Sequence, residues 1–534
     1  MKRIRITALL LAVALLLTGC DVGSFVNHVL GVDEIVYYEP EVFSKMKYTR
    51  PDMDALEASL DRTCDAAMAG KPVKTILNYV YGFYYAYDAF YTNMSLAYIH
   101  YSADLTDSYW EEEYDFCSKN AAAVDAALDE LNYTLAACSQ RKQLEKEYFG
   151  EGFFDDFEDA DSVWEPSFMD LLDDESELLD KYYDLTEESG DDWDTNYDEM
   201  AQLLVDLIAV RQEIAAEAGY DTYPEFAYDF YHYRDYTPQQ AETYCENIRD
   251  ALYEPYIRLD QSDVWEKVYL SECSEKDTYR YVQTAANAMG GTFQEAFKHL
   301  DTYELCDISY SDNKFTGSFE VYLWTYASPF IFMYPYGDAT DQLTFAHEFG
   351  HFCNDYACNG SYAATDVAEV HSQAFEYMSL LYGKDTELLT RYKMADSLCV
   401  YMEQAAYALF EQQAYRLTGE ELTAENVARL YEEVCLSFGF DSWGWDPRDF
   451  VTVHHFYTEP MYMISYVVSN DLALQFYQLE LDKKGEGLKL YEESLLSQDS
   501  YILDFADAYG LESPFAKGRM KKLSGLFNEM FPAE

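Results

Sequence analysis

The sequence predicts a mainly α-helical protein with a single small β element, and three observations carry that reading. Along most long segments apolar residues recur at intervals of three and four, the period of one helix face. One stretch, Lys314 to Tyr336, breaks the pattern. There Phe319, Val321 and Leu323 alternate with Glu320, Tyr322 and Trp324, and Pro329 and Pro335 forbid a long helix. The hydrophobic fraction of 49% beside 25% charged residues is that of an ordered chain. At 534 residues it is long enough for two or three lobes.

Residues 1–20 read as a leader. Lys2, Arg3 and Arg5 precede an apolar run from Ile6 to Leu17, too short for a membrane span of about 20 residues. The run ends in Leu17-Thr18-Gly19-Cys20, which resembles the bacterial lipobox. That resemblance implies cleavage before Cys20 and a lipid anchor on its thiol. The mature protein is then expected outside the cytoplasm, tethered to the cell membrane without crossing it.

Residues 21–200 are expected to form an N-terminal helical lobe, with Met53 to Ala69 and Lys119 to Leu144 as helices. The lobe closes in an acidic connection from Phe154 to Asp198, marked by Asp155-Asp156, Asp173-Asp174 and Asp191-Asp192. Residues 201–534 form the remaining region. Its helical stretches include Asp198 to Ala218, Thr237 to Ser262 and Thr423 to Ser437.

The formal charge of −63 repels phosphate backbones and argues against nucleic-acid binding. The 52 tyrosines and 32 phenylalanines supply buried area, and the tyrosines add hydroxyls suited to a wet cleft. The cysteines beyond Cys20 are scattered and form no CxxC pair, so they define no disulfide framework or zinc-cysteine site. A pairing of Cys353 with Cys358 stays open.

The chemistry concentrates in His347-Glu348-Phe349-Gly350-His351. Two histidines four apart project from one helix face within reach of one ion, and neutral imidazole is a good zinc ligand. Glu348 is rotated about 100° from His347 and can take a proton from water instead of ligating. Gly350 removes a side chain where another helix could approach.

A catalytic zinc wants three protein ligands and an open position. Downstream, Glu369, Ser372, Gln373 and Glu376 form one polar helical face after a turn through Asn359-Gly360. Glu369 is the expected third ligand. Glu376, two turns on, is placed to hydrogen-bond a ligand imidazole. His371 points to another side of the helix and reads as a packing or surface histidine.

These residues resemble the M3 oligopeptidase family of zinc metallopeptidases, which includes thimet oligopeptidase and bacterial oligoendopeptidase F. The resemblance extends to Gly317-Ser318 and Ser328-Pro329-Phe330-Ile331-Phe332-Met333, to the segment from Leu207 to Ala215 with Ala218-Gly219-Tyr220, and to Leu417 to Thr423. It also covers His455-Phe456-Tyr457 with Pro460, Tyr462 and Tyr466. Two departures are visible: a short interval between the two metal-site helices, and Ile464 where another tyrosine is common.

The resemblance implies a two-lobed, multi-helical fold with a deep substrate cleft and the small β element beside the active site. It implies one Zn2+ per chain, oligopeptide substrates, and hydrolysis by a metal-activated water with Glu348 as general base. His455 with Tyr462 or Tyr466 would stabilise the oxyanion; His454 rivals His455, and both tyrosines stay candidates. The chain is expected to act as a monomer. Two other functions fit the same residues: a non-catalytic peptide-binding lipoprotein of the same fold, and an exopeptidase of carboxypeptidase type.

Overall fold

The computed structural model describes residues 38–157, 166–189, 193–360, 363–497 and 501–532. Cys20 and the leader lie outside them, as do parts of the acidic connection. The architecture is mainly helical, with one three-stranded sheet. Among the described residues, no helix is long and apolar enough to cross a membrane.

The chain divides into two compact units. The described residues of the first are 38–157 together with 299–334. Its helices are α1 (Met53–Met68), α2 (Val73–Ala103) and α3 (Ser108–Ala137). Asp52 starts α1 by accepting the Ala55 amide, and Asp107 starts α3 in the same way through Tyr109. The expected helix from Lys119 to Leu144 is the end of α3 and stops short, because Cys138 turns to extended backbone. Leu60, Ile76, Val80, Phe83, Val124 and Leu131 knit the three helices into one core.

The β element is a hairpin with a short third strand. Strand β2 (Ser318–Leu323) pairs antiparallel with β3 (Ser328–Met333), and β1 (Cys306–Asp307) pairs parallel with β3 on its other side. Central β3 is buried throughout, as its unbroken apolar run requires. Phe319 stacks between Phe332 of β3 and Tyr98 of α2. The buried Lys314 ammonium binds the carbonyls of Asp307, Ser309 and Met333 and the Asp307 carboxylate, so the loop between β1 and β2 is held without orphaned charge.

The second unit comprises residues 164–298 and 335–534. Its relevant helices are α4 (Pro166–Ser189), α5 (Tyr197–Glu217), α6 (Pro238–Leu259), α7 (Thr340–Cys358), α8 (Thr365–Tyr382) and α9 (Glu387–Cys399). They are followed by α10 (Ala405–Ala414), the short α11 (His454–Thr458) and α12 (Met463–Asp482). A division at 200 follows the acidic composition. The compact units divide earlier, since α4 packs on α5 and both belong to the second unit.

Helix α8 lies against both α7 and α12 and is buried on nearly every side, so its polar face of Glu369, Ser372, Gln373 and Glu376 is turned into the protein and not to solvent. Polar groups in α12 are satisfied from neighbouring elements: Asp366 accepts from Ser465, Tyr377 donates to Asn470, and Arg519 pairs with Asp471. Cys353 and Cys358 do not pair with each other: Cys353 is buried, and the Cys358 thiol donates to the Leu495 carbonyl.

Candidate metal centre

Helix α7 is launched by two aspartates. Asp338 accepts the Thr340 amide at 2.8 Å, and Asp341 accepts the amides of Tyr336 and Gly337 at 2.9 and 2.8 Å. The helix ends at Asn359 and Gly360, both with positive φ, where the Gly360 amide returns to the Asp355 carbonyl. Between these ends, His347 and His351 share one face with ring centroids 5.1 Å apart.

Gly350 sets how near α8 comes. A Cβ built on it would stand 2.5 Å from both the His371 carbonyl oxygen and the Ser372 Cα. The two backbones therefore cross in contact, and the crossing lies between Glu369 and Glu376 along α8. Glu369 thereby reaches both histidines: its Oε2 is 3.4 Å from His347 Nε2 and 3.9 Å from His351 Nε2. The three ligand atoms lie within 4.8 Å of one another. A tetrahedral zinc with bonds of about 2.0–2.2 Å needs donor separations of about 3.3–3.6 Å. Two imidazoles and a carboxylate at these distances suit that ion after small side-chain adjustments.

The ligand set is held from behind. His347 Nδ1 donates to Glu376 Oε1 at 2.9 Å, which leaves Nε2, facing Glu369, as the nitrogen that a metal would take in place of a proton. The other Glu376 oxygen meets Lys393 Nζ of α9 at 2.7 Å, and Lys393 also bonds Asp396. Glu369 Oε2 accepts from Ser372 at 2.9 Å, and its Oε1 accepts from Tyr462 at 3.0 Å.

The field at the centre is anionic. Burial works to lower His347, yet the hydrogen bond to Glu376 and the charges of Glu369, Glu376 and Glu348 raise it to about 9. The same charges that favour a proton there favour a cation. Burial pushes His351 down to about 4 and keeps it a neutral donor. Burial opposes ionisation of Glu369, but His347, His351 and the bonds from Ser372 and Tyr462 hold it below the ordinary carboxylate value. Glu348, buried beside them, is raised to about 7, chiefly by loss of water.

The aromatic cluster is built by the turn between α11 and α12. The His455 ring lies 5.2 Å from that of Tyr462, and the two tyrosine rings are 5.0 Å apart. The Tyr466 hydroxyl is 3.4 Å from His455 Nε2. Burial and the Glu369 charge raise both phenols well above their ordinary value, so they stay protonated donors. His454 turns the other way, bonding the Tyr182 hydroxyl of α4 at 3.0 Å.

Residues 43–160 match the family model described as the Peptidase M3 N-terminal domain. Over 92% of its length the chain has an oligoendopeptidase fold. An X-ray structure assigned as that enzyme gives a TM-score of 0.76 at 18% identity, covering 92% of this chain and 99% of that one. PZ peptidase A with an inhibitor gives 0.75 at 17% identity over 92% and 99%. A protein of Bacillus anthracis strain Ames, assigned as oligoendopeptidase F, gives 0.73 at 18% identity over 92% and 98%. No curated protein matches the sequence.

Within this oligoendopeptidase fold, several residues escape sequence reasoning. Lys393 and Asp396, which complete the support of Glu376, come from α9 and carry only an i, i+3 charge pair as a signal. His371 is fully buried, its ring nitrogens find no partner among the described residues, and loss of water lowers it to about 3. It packs near Phe505 as an apolar ring. Further residues hold the α11–α12 turn: Arg211 binds the carbonyls of Phe456 and Tyr457, and His232 donates to the Pro460 carbonyl at 2.9 Å. Such bonds to backbone leave no pattern in a sequence.

Proposed function

We propose that this chain is a zinc-dependent metallopeptidase of the M3 type that hydrolyses peptide bonds in oligopeptides. The observation that carries the reading is the convergence of His347, His351 and Glu369 within 4.8 Å, with Glu348 on the same helix. The match of residues 43–160 and the shared fold support it.

A zinc held by His347, His351 and Glu369 supplies Lewis acidity to the scissile carbonyl and to an attacking water. Glu348 takes the proton of that water. Its carboxyl, buried beside the ligand residues, is placed to accept the proton and later hand it to the departing amine. The oxyanion of the tetrahedral intermediate needs donors fixed in advance, each worth about 3–4 kcal/mol. Tyr466 and His455 supply hydroxyl and imidazole N–H, and Tyr462 adds a hydroxyl that in this structure rests on Glu369. Glu376, backed by Lys393, keeps the His347 ring in the orientation the metal needs.

The lipobox-like end of the leader supports an anchor on Cys20, with the enzyme displayed outside the cytoplasm. Intact mass of the membrane-extracted protein tests this; a mature chain that keeps residues 1–19 would exclude it.

The deciding experiment is mass spectrometry of a mixed peptide pool after incubation with the protein, with and without chelator, beside zinc analysis. Internal cleavage that stops on chelation and returns with zinc is expected. Glu348→Gln should bind zinc normally and cut about 10²–10⁴-fold more slowly. A pool left intact by zinc-loaded protein would favour the peptide-binding alternative, and removal of single terminal residues alone would favour the exopeptidase.

A further inference from the structure

The α11–α12 turn contains a backbone conformation that needs outside support. Met461 is buried and sits at φ 68, a region that residues with a Cβ avoid. It immediately precedes Tyr462, so its peptide plane sets where the tyrosine leaves the chain. Left-handed backbone at such a position persists only where the surroundings over-determine it.

Those surroundings are specific. Arg211 and His232 bind carbonyl oxygens at 456, 457 and 460, before Met461. At Met461 itself the amide N–H points into the protein and donates to Glu411 Oε1 at 2.8 Å. Glu411 belongs to α10 and is 2% exposed. Its Oε2 has no hydrogen-bond partner among the described residues. A carboxylate so placed is costly to bury, and the charges of the buried Arg234 and Arg211 offset only part of that cost. Among the described residues, its one hydrogen bond is to the residue before Tyr462.

We infer that Glu411 is a positioning residue for the reacting centre, holding Met461 left-handed so that the Tyr462 hydroxyl meets Glu369. Burial pushes the Glu411 carboxyl up to about 8. In either protonation state Oε1 keeps a lone pair for the amide, so the contact does not depend on the charge. What the position requires is an acceptor at the right reach. Glutamine meets that requirement; methionine fills the space without it, and aspartate falls one methylene short.

The proposal rests on the placement of Tyr462 in the reacting centre, and two readouts keep the questions apart. The full chain, loaded with zinc, is assayed for kcat and KM on a fluorogenic oligopeptide and for hydrogen exchange of the amides in residues 459–463. Glu411→Gln should keep kcat within about twofold and keep the Met461 amide protected. Glu411→Met should expose that amide and lower kcat about ten- to a hundredfold at nearly constant KM. Glu411→Asp should do the same in milder form, and it decides the matter if the methionine variant does not fold. An amide that stays protected in the folded variant, or a glutamine variant as slow as the methionine one, overturns the proposal. So does full kcat in a variant whose Met461 amide has become exposed, provided Tyr462→Phe is slow. A Tyr462→Phe enzyme as fast as the parent instead overturns the role given to Tyr462, and exchange alone then decides whether Glu411 holds Met461.

Discussion

Glu376 accepts a hydrogen bond from His347 Nδ1 at 2.9 Å and is itself anchored by the buried Lys393 ammonium at 2.7 Å. The imidazole is thus fixed in tautomer and in ring orientation. Replacing Glu376 by alanine should weaken zinc binding about 10–100-fold, read by competition with a chromogenic chelator. Lys393→Met should fall in the same direction, because it leaves Glu376 buried and unpaired. Unchanged zinc affinity in both variants would detach this pair from the metal.

Tyr462 and Tyr466 should separate by phenotype. Tyr466→Phe removes a hydroxyl that faces His455 and should lower kcat about 10²–10³-fold without loss of zinc. Tyr462→Phe also removes the bond to Glu369, so it should weaken zinc binding as well. Equal zinc affinity in the two variants would contradict the distinction.

Gly350 is demanded by a helix crossing, not by a turn. Gly350→Ala forces a methyl group against the backbone at 371 and 372 and should cost about 1–3 kcal/mol. A lowered thermal midpoint by circular dichroism, with reduced zinc retention, is the expected result. A midpoint equal to that of the parent would show that α7 and α8 can part freely.

His232 gives the protein an acid-sensitive joint. Loss of water and the nearby Arg234 charge lower its folded-state value to about 3, against the opposing bond to Pro460. An unfolded histidine titrates near 6.5, so between 6.5 and about 3 the unfolded chain holds the extra proton. The stability contributed by neutral His232 is complete above 6.5 and is lost as the pH falls, at up to about 1.4 kcal/mol per pH unit. His232→Gln, which keeps a donor for Pro460, should flatten the acid limb of stability by about one proton. An acid limb of the same slope would refute this.

What the sequence made legible is what repeats locally. His347 and His351 stand four apart, Glu369 and Glu376 seven apart, and the helix converts such spacings into faces without further information. The hairpin was legible too, since Pro329 and the alternation through Leu323 leave few options. Lys393, Arg211 and Glu411 were not, because each meets its partner from a separate helix, and Arg211 and Glu411 bond backbone groups. Charge density pointed to a boundary at 200; the packing of α4 on α5, which puts both helices in the second compact unit, left no such mark in the composition.

The contact from Arg211 to Phe456 joins positions 245 residues apart, and Glu411 reaches across 50 to Met461. Ends so distant meet only after a large loss of chain freedom, which makes them late events as a protein acquires its shape. The histidine pair and Glu369, by contrast, close within one short helical hairpin. The nascent chain therefore holds a nearly complete ligand set before the opposite wall of tyrosines exists. Competence to cut would be the final property acquired, after the three ligands of the ion have been brought together.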